Sequence, residues 1–181
     1  MALTATIYAF DVQLADADRG VYETLALRVA RHPSETEASL VTRVLAYCLE
    51  YVDGIAFSNG LAEPDEPALA VRDLTGGMRA WIDVGAPAAT RMHRAGKAAK
   101  RVVVYTHKDP GMVLRQWAGE RIHRAAELEL YSLDAALLAG LVARLQRRMA
   151  FTLSVTGGHL YVTLGDEVVE GAVERHSVRT G

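Results

Sequence analysis

The order of helical and extended segments between residues 34 and 105 constrains the fold of this chain more than any other feature. Apolar residues recur at helical spacing from Val41 to Cys48, three short extended segments follow, and a second helix leads into Val102-Val103-Val104-Tyr105. A continuous apolar run of this kind is typical of a strand that is buried on both faces of a sheet. The order is helix, three strands, helix, strand, which predicts an α/β fold with a mixed, α+β type of sheet.

Local signals place these elements. Ser34 and Glu37 have the spacing of a capping box, which predicts the start of the first helix. The apolar stripe of that helix consists of Val41, Val44, Leu45, Cys48 and Val52. The three strands and the second helix are predicted at Ile55 to Phe57, Ala68 to Asp73, Met78 to Val84 and Pro87 to Ala99, with turns at Ser58-Asn59-Gly60 and Thr75-Gly76-Gly77.

Segments on both sides of this core are predicted to add to its sheet. Leu3 to Gln13 and Val21 to Val29 form an N-terminal hairpin. After the turn Asp109-Pro110-Gly111 we predict a helix at Val113 to Arg121, a strand at Leu128 to Tyr131, a helix at Leu133 to Met149 and a hairpin at Phe151 to Leu164 that turns at Gly157-Gly158. From Asp166 to Gly181 the chain has no strong pattern beyond Val168-Val169, and its end is expected to be mobile.

The composition limits the classes of protein that fit. The 181 residues suit a single domain, 1–181, with one core, and a charged fraction of 23% is that of a globular protein. A net charge of −2 excludes a wholly basic surface, so attraction to a polyanion must come from local clustering. A single cysteine, Cys48, excludes an internal disulfide and a Cys-based zinc site. No apolar run is long enough to span a membrane and no signal peptide is evident, so we expect no membrane partner and a cytoplasmic location.

Acidic residues precede the second predicted helix. Glu66 comes before one strand and Asp83 lies late in a neighbouring strand, and carboxylates on adjacent strands can approach within about 5 Å. Because carboxylate oxygens are the ligands that Mg²⁺ prefers, the two residues are a candidate metal pair. Solvated loop acids are the alternative for Asp65 and Glu66, and a cap for the following helix is the alternative for Asp83.

Cations then recur along that helix. Arg91, Arg94, Lys97 and Lys100 are spaced by three residues without an intervening acid, so they form a slowly drifting basic stripe. The stripe predicts contact with the phosphates of a nucleic acid, and an ordinary solvated helix face is the alternative. Four of the histidines, namely His93, His107, His123 and His159, lack the spacing of metal ligands, and no nucleotide-binding loop is present.

Several motifs together resemble the YaeQ family of bacterial proteins. They are Arg31-His32-Pro33-Ser34-Glu35-Thr36, Asp65-Glu66-Pro67, Asp73-Leu74-Thr75-Gly76, Trp81-Ile82-Asp83-Val84-Gly85 and Val102-Val103-Val104-Tyr105-Thr106. The resemblance covers nearly the whole chain. It implies a variant of the PD-(D/E)xK nuclease fold, whose core has the same order of helix, three strands, helix and strand.

The resemblance also implies roles for individual residues. Glu66 or Asp65 stands for the first acid of the nuclease motif and Asp83 for the second, while Gly85 occupies the position of the expected lysine. Relatives of the fold can supply this lysine from the following helix, where Lys97 or Lys100 could serve, and Lys100 is favoured. The acid of the first helix would be Glu35 or Glu37. Helical phase favours Glu37 and the family motif favours Glu35, which we select.

Two functions follow from these observations. The first is a Mg²⁺-dependent phosphodiesterase that cuts DNA or RNA, with Glu66 and Asp83 as metal ligands, Glu35 in support and Lys100 positioning water. The second is a non-catalytic protein of the same fold that binds nucleic acid or a protein partner in a regulatory role. Gly85 in place of a lysine leaves the choice open.

Overall fold

The computed structural model describes residues 4–58 and 65–178. In this part of the chain there are ten strands, four α-helices and one short 3-10 helix. The strands are β1 (Thr6–Asp16), β2 (Val21–Arg31), β3 (Ile55–Phe57), β4 (Leu69–Arg72), β5 (Met78–Val84), β6 (Arg101–Thr106), β7 (Glu129–Leu133), β8 (Arg148–Thr156), β9 (His159–Leu164) and β10 (Glu167–His176). The helices are α1 (Glu37–Leu49), α2 (Ala89–Ala98), α3 (Pro110–Trp117) and α4 (Ala135–Ala143), and the 3-10 helix is Ala125–Glu127.

All ten strands belong to one mixed sheet, in the order β2-β1-β8-β9-β10-β7-β6-β5-β4-β3. Strands β5, β6 and β7 run parallel to one another, as do β1 and β8, and every other pair of neighbours is antiparallel. The N-terminal hairpin and the C-terminal strands therefore extend the sheet that begins with β3, and the two halves join where β10 pairs with β7.

Side chains on the two faces of the sheet form two separate cores. Helices α1 and α4 cover one face, and their apolar residues pack with Ile82 and Val103 in the first core. Helices α2 and α3 cover the other face, where Val102 and Val104 pack in the second core. Because both faces of β6 are covered, its apolar run is buried throughout, and each buried side chain of this size contributes about 1.5–3 kcal/mol.

The helices that follow β6 and β7 leave towards opposite faces of the sheet. Asp109 caps α3 by accepting the N–H of Gly111, and α3 then packs in the second core through Trp117. Asp134 caps α4, which packs in the first core through Leu137. Strands β6 and β7 are parallel neighbours, so their carboxyl ends are flanked by connections that diverge. Such a switch point leaves a crevice at the edge of a sheet.

Most of the predicted elements are present. The order helix, three strands, helix, strand occurs over residues 37–106, and the N-terminal hairpin and the hairpin at Gly157-Gly158 are confirmed. The stripe of α1 is buried except for Val52, which lies beyond the helix and is 45% exposed. Leu3, Asn59 and Gly60, which belong to predicted elements, lie outside the described residues.

Predictions about the ends of three helices are wrong. The N-cap of α1 is Thr36, whose side chain accepts from Ser39 N–H, rather than Ser34, which pairs with His32. Helix α3 begins at Pro110 instead of Val113 and ends at Trp117 instead of Arg121. Helix α4 ends at Ala143 instead of Met149 because the helical spacing of apolar residues continues into a strand, and Leu145 and Met149 still pack against the first core.

The expectation for residues from Asp166 onwards is also wrong as far as His176. This segment forms β10, which pairs with β9 on one side and β7 on the other. Glu170 and Glu174 obscure the strand pattern, because they occupy exposed positions of the strand and because one of its two partners, β7, is distant in sequence.

The four helices of the described part are too short or too polar to cross a membrane.

Candidate functional site

Asp83 lies near the carboxyl end of β5, on the face of the sheet that α2 covers. It is beside Val104 of β6 in the register, and Ala68 donates its backbone N–H to Asp83 Oδ1 at 3.0 Å. Trp81 belongs to the second core, whereas Ile82 belongs to the first. Alternation along β5 therefore places Asp83 with Trp81 on one face of the sheet and Ile82 on the other.

Arg91, in the first turn of α2, binds Asp83 in a bidentate manner. Its Nε donates to Asp83 Oδ2 at 2.7 Å and its Nη2 donates to Oδ1 at 3.0 Å. The same Nη2 donates to the carbonyl oxygen of Glu66 at 2.6 Å. The guanidinium also lies 5.1 Å from the centroid of the Trp81 ring, within the range of a cation–π interaction. Asp83 is only 3% exposed, so this ion pair is largely shielded from water.

These contacts limit what else Asp83 can bind. An ionised carboxylate has about four acceptor positions, and Asp83 uses three of them for Ala68 and Arg91. The guanidinium fills the space between Asp83 and the Glu66 segment, where a shared Mg²⁺ would have to sit. In residues 4–58 and 65–178, no group of three or more His, Cys, Asp or Glu side chains is arranged to hold a metal ion. The described residues therefore form no ready-made group of ligands for Mg²⁺ around Asp83.

A second acid–base pair lies on the surface beside the first. Arg94 Nη1 is 3.6 Å from Asp65 Oδ1, and the two side chains are 53% and 85% exposed. Exposed pairs of this kind contribute little stability. Arg94 and Asp65 nevertheless repeat the arrangement of Arg91 and Asp83. In both pairs, an arginine predicted to contact phosphate neutralises an acid predicted to bind metal.

Glu35 lies apart from Asp83, on the side of the sheet that α1 covers. It is buried, and Arg43 binds its carboxylate through two hydrogen bonds of 2.8 Å and 2.6 Å. Ser39 Oγ donates a third, at 2.9 Å. Glu37 is exposed in the first turn of α1, so the expectation from helical phase that Glu37 contacts the sheet is wrong. The Glu35 ion pair accounts for the burial of this acid.

Lys100 and Gly85 occupy opposite ends of the parallel strands. Arg101 is beside Ala80 in the register and Asp83 is beside Val104, so Lys100 lies about 13 Å from Asp83 along the strands. That separation exceeds the length of a lysine side chain, and the structure does not bring Lys100 to Asp83. Gly85 has φ = 88°, a left-handed conformation in which a lysine would be strained.

A basic surface surrounds the carboxyl end of α2. We define it by Lys97, Lys100, Arg121, Arg124, His93 and His123. Partial burial lowers the pKa of His93, and the nearby positive charges of Lys97 and Arg121 lower it further. The rings of His93 and His123 lie 6.3 Å apart, and Arg124 donates to the carbonyl oxygens of Gly96 and Ala99 at the end of the helix.

The sequence pattern identified only part of this surface. Lys97 and Lys100 stood out because they continue the stripe of α2, whereas His93, Arg121 and His123 have no shared spacing. The segment 118–124 folds back on α2 at Gly96, where the His123 carbonyl oxygen lies 2.5 Å from the position that a Cβ would occupy. Only a glycine allows this close approach. Gly96 is therefore the residue in the sequence that indicates a contact between α2 and the segment 118–124.

Comparison with known proteins gives one consistent match. The family model described as "YaeQ protein" matches residues 1–173. An uncharacterized YaeQ protein of Escherichia coli (strain K12) is 33% identical over 165 residues, which cover 90% of this chain and 91% of the relative. Its counterpart in Salmonella typhi is 32% identical over the same length and coverage.

Two crystal structures of YaeQ proteins are similar throughout. The protein from Xanthomonas axonopodis pv. citri has a TM-score of 0.85 and 31% identity, with 97% of this chain and 100% of that chain covered. The protein from Pseudomonas syringae has a TM-score of 0.84 and 29% identity, with 98% of each chain covered. The mixed α/β fold with its large sheet is thus shared with solved structures.

Proposed function

This chain belongs to the YaeQ family, and on that premise we propose that it binds nucleic acid through the basic surface without cutting it. The proposal treats the fold as a variant of the PD-(D/E)xK nucleases in which an arginine has taken the place of the catalytic metal. It corresponds to the second of the two functions expected from the sequence. The first, a Mg²⁺-dependent phosphodiesterase, is the competing outcome of the experiments below.

The single observation that carries the proposal is the bidentate pair of Arg91 with Asp83. A guanidinium held by two carboxylate oxygens and the Glu66 carbonyl supplies positive charge where a divalent ion would otherwise be needed. An arginine cannot activate water as a bound metal does, because it offers no open coordination position. The arrangement therefore supports binding in preference to hydrolysis.

The charges around α2 support the choice of partner. Arg91 and Arg94 are engaged with Asp83 and Asp65, so the part of the stripe nearest the acids is neutralised. Further along the helix, partial burial and the charges of Lys97 and the neighbouring Arg121 lower the pKa of His93, and no carboxylate is among the groups that shift it. Within the basic surface, Arg124 is paired with Glu127 at 3.2 Å. A surface of this kind attracts phosphates even though the whole chain is slightly acidic.

Binding is tested with fluorescently labelled single-stranded and double-stranded oligonucleotides, followed by anisotropy at several salt concentrations. We expect the Lys97→Glu/Arg121→Glu variant to lose affinity about tenfold or more and to show a shallower dependence on salt. The matched control is Arg28→Glu/Arg148→Glu, which makes the same charge change at exposed positions on β2 and β8. Equal affinities of the two double variants would contradict the proposal.

Cleavage is tested in parallel with Mg²⁺ and Mn²⁺. We expect wild type and Asp83→Asn to leave labelled DNA and RNA equally intact. Metal-dependent cleavage by wild type that Asp83→Asn abolishes would instead establish the phosphodiesterase, with Asp83 as a metal ligand and Glu66 as its partner. Cleavage that survives in Asp83→Asn would indicate a contaminating nuclease and is removed by further purification before the comparison is repeated.

A further inference from the structure

A cleft lies at the carboxyl ends of β6 and β7, on a different part of the molecule from the basic surface. Its volume is about 460 Å³, within the range of roughly 300–1,000 Å³ that is usual for small-molecule sites. Its walls come from the loops that follow β6 and β7 and from the neighbouring strand β10. No residue of the cleft belongs to the acid–base pairs described above.

The topology explains why a cleft exists there. The chain leaves β6 towards α3 on one face of the sheet and leaves β7 towards α4 on the other. Within residues 4–58 and 65–178, the two helices therefore leave the space between the two loops open. In sheets with parallel strands, this is the position at which ligands bind, because loops from both faces can contribute side chains.

Charges of opposite sign lie on different walls of the cleft. Lys108 follows β6, and Glu174 is on β10, with β7 between them in the sheet. Two strand spacings separate their backbones by about 10 Å, a gap that their long side chains can narrow from both sides. In the described part of the chain neither Lys108 nor Glu174 takes part in an ion pair.

The other two acids at the cleft already have partners. Asp109 accepts the N–H of Gly111 and lies 3.7 Å from Arg115, and Asp134 accepts the N–H of Leu137 at 3.0 Å. These carboxylates hold the first turns of α3 and α4, so they shape the cleft. One positive and one negative group remain for a ligand.

Two further polar groups lie between the charged walls. Ser132 lines the cleft, and its Oγ shares a hydrogen bond of 2.7 Å with Nε2 of His176, which fixes the position of the hydroxyl. His107 also lines the cleft, and its buried Nδ1 has no hydrogen-bond partner among the described residues. Burial and the charge of Lys108 lower the pKa of His107.

We propose that this cleft binds a small zwitterion of the free amino acid class, with its carboxylate at Lys108 and its ammonium group at Glu174. A ligand with one charge of each sign satisfies both unpaired groups at once. The ring of His107 and the hydroxyl of Ser132 line the cleft beside these two charged groups. A divalent cation does not fit, because the described residues include no group of three acidic, His or Cys side chains that could hold one.

The test measures binding of the individual protein amino acids by ligand-observed NMR, followed by calorimetric titration of those that bind. We expect at least one to bind wild type with a Kd of about 1 mM or tighter. Lys108→Met and Glu174→Gln should each weaken that binding about tenfold or more. Both positions are exposed, so the variants should fold as wild type does, which circular dichroism checks. Lys97→Met and Glu167→Gln are the matched controls and should bind like wild type.

Three results would overturn the proposal. They are no binding by any amino acid, binding that Lys108→Met and Glu174→Gln leave unchanged, and equal binding of the corresponding amide or of the hydroxy acid that lacks the ammonium group. Charge reversal on the basic surface should not alter amino acid binding. The proposal therefore stands or falls separately from the proposed binding of nucleic acid.

Discussion

Arg91 connects a strand, a loop and a helix through a single guanidinium group. Its partners are the Asp83 carboxylate in β5, the Glu66 carbonyl in the segment before β4, and the ring of Trp81. Removing one partner of a buried ion pair leaves an uncompensated charge, which typically costs about 3–5 kcal/mol. The Arg91 side chain is 23% exposed, so the lower end of that range applies.

Substitution of Arg91 by Met is expected to lower the free energy of unfolding by about 3 kcal/mol, because the Asp83 charge is left buried without its counter-ion. Adding Asp83→Leu to Arg91→Met should recover part of the loss, since the unpaired charge is then removed. Urea unfolding measures both effects. Arg94→Met is the control, and its exposed pair with Asp65 predicts a change within about 0.5 kcal/mol. Equal losses for Arg91→Met and Arg94→Met would contradict the role of Arg91.

Cys48 should be unreactive in the folded protein. It is fully buried in the stripe of α1, and burial raises the pKa of its thiol to about 12. Because the thiolate is the reactive form, a thiol reagent such as dithionitrobenzoate should label the native protein only as fast as it opens, and should label it at once in urea. Rapid stoichiometric labelling of the native protein at neutral pH would show that α1 does not bury this position.

The packing of α4 against β10 depends on two glycines that differ in what they contact. A Cβ on Gly171 would lie 2.7 Å from the Cβ atoms of both Asp134 and Leu137, which are fixed by the helix backbone. A Cβ on Gly140 would lie 2.7 Å from Cγ1 of Val169, a side-chain atom that can rotate away. The same added methyl group therefore meets a rigid obstacle at one position and a movable one at the other.

Gly171→Ala is accordingly expected to destabilise the protein by about 2 kcal/mol or more. Gly140→Ala should be nearly neutral, because the gain of about 1 kcal/mol from alanine in a helix offsets the local repacking. Thermal unfolding of the two variants beside wild type gives the comparison. A larger loss for Gly140→Ala than for Gly171→Ala would mean that α4 and β10 are not packed as described.

Some helices and strands of this fold can be predicted from the sequence, and others cannot. Helix α1, β6 and the hairpins carry their own signals, because one element buries one regular set of side chains. Strand β10 has no such signal of its own. Its exposed positions carry charged residues, and its place between β7 and β9 in the sheet becomes apparent only in the fold. The sequence does not show the end of α4, because Leu145 in the connecting segment and Met149 on β8 pack against the same core as α4.

Prediction of the candidate site had a similar limit. The acids and cations around α2 were found from the sequence, and their segments do lie close together. The pairing of Arg91 with Asp83 could not be predicted, because it depends on how α2 returns to the sheet after Gly85. Ser132 and His176 are 44 residues apart, and only the pairing of β7 with β10 brings them within hydrogen-bond distance.

Charge is distributed unevenly over the whole molecule. The chain carries a net charge of −2, so any anionic partner is repelled on average and must be held by the basic surface alone. Binding of nucleic acid should therefore be sensitive both to salt and to the protonation of His93, which lies among these cations. The dependence on protonation of His93 can be tested by changing the pH, without substituting any lysine or arginine.

Affinity for oligothymidylate is expected to rise as the pH falls from about 7.5 to about 5.5, the range in which histidines titrate. In the free protein, partial burial and the charges of Lys97, Arg121 and His123 hold the pKa of His93 below its usual value. Phosphates bound nearby favour the charged ring and raise that pKa, so the complex takes up a proton. The affinity therefore rises as the pH falls below the pKa of His93 in the complex. It stops rising once the pH is also below the pKa of His93 in the free protein.

The pH dependence should be shallower for His93→Gln and unchanged for His159→Gln, which alters a histidine on β9. Oligothymidylate is suitable because neither its bases nor its phosphodiesters titrate in this range, so the proton uptake belongs to the protein. Anisotropy at constant ionic strength measures the affinity, and NMR of the imidazole protons follows the pKa of His93 with and without the oligonucleotide. Parallel pH profiles for wild type and His93→Gln would exclude His93 from the contact, and the nucleic acid would then have to bind to another face of the molecule.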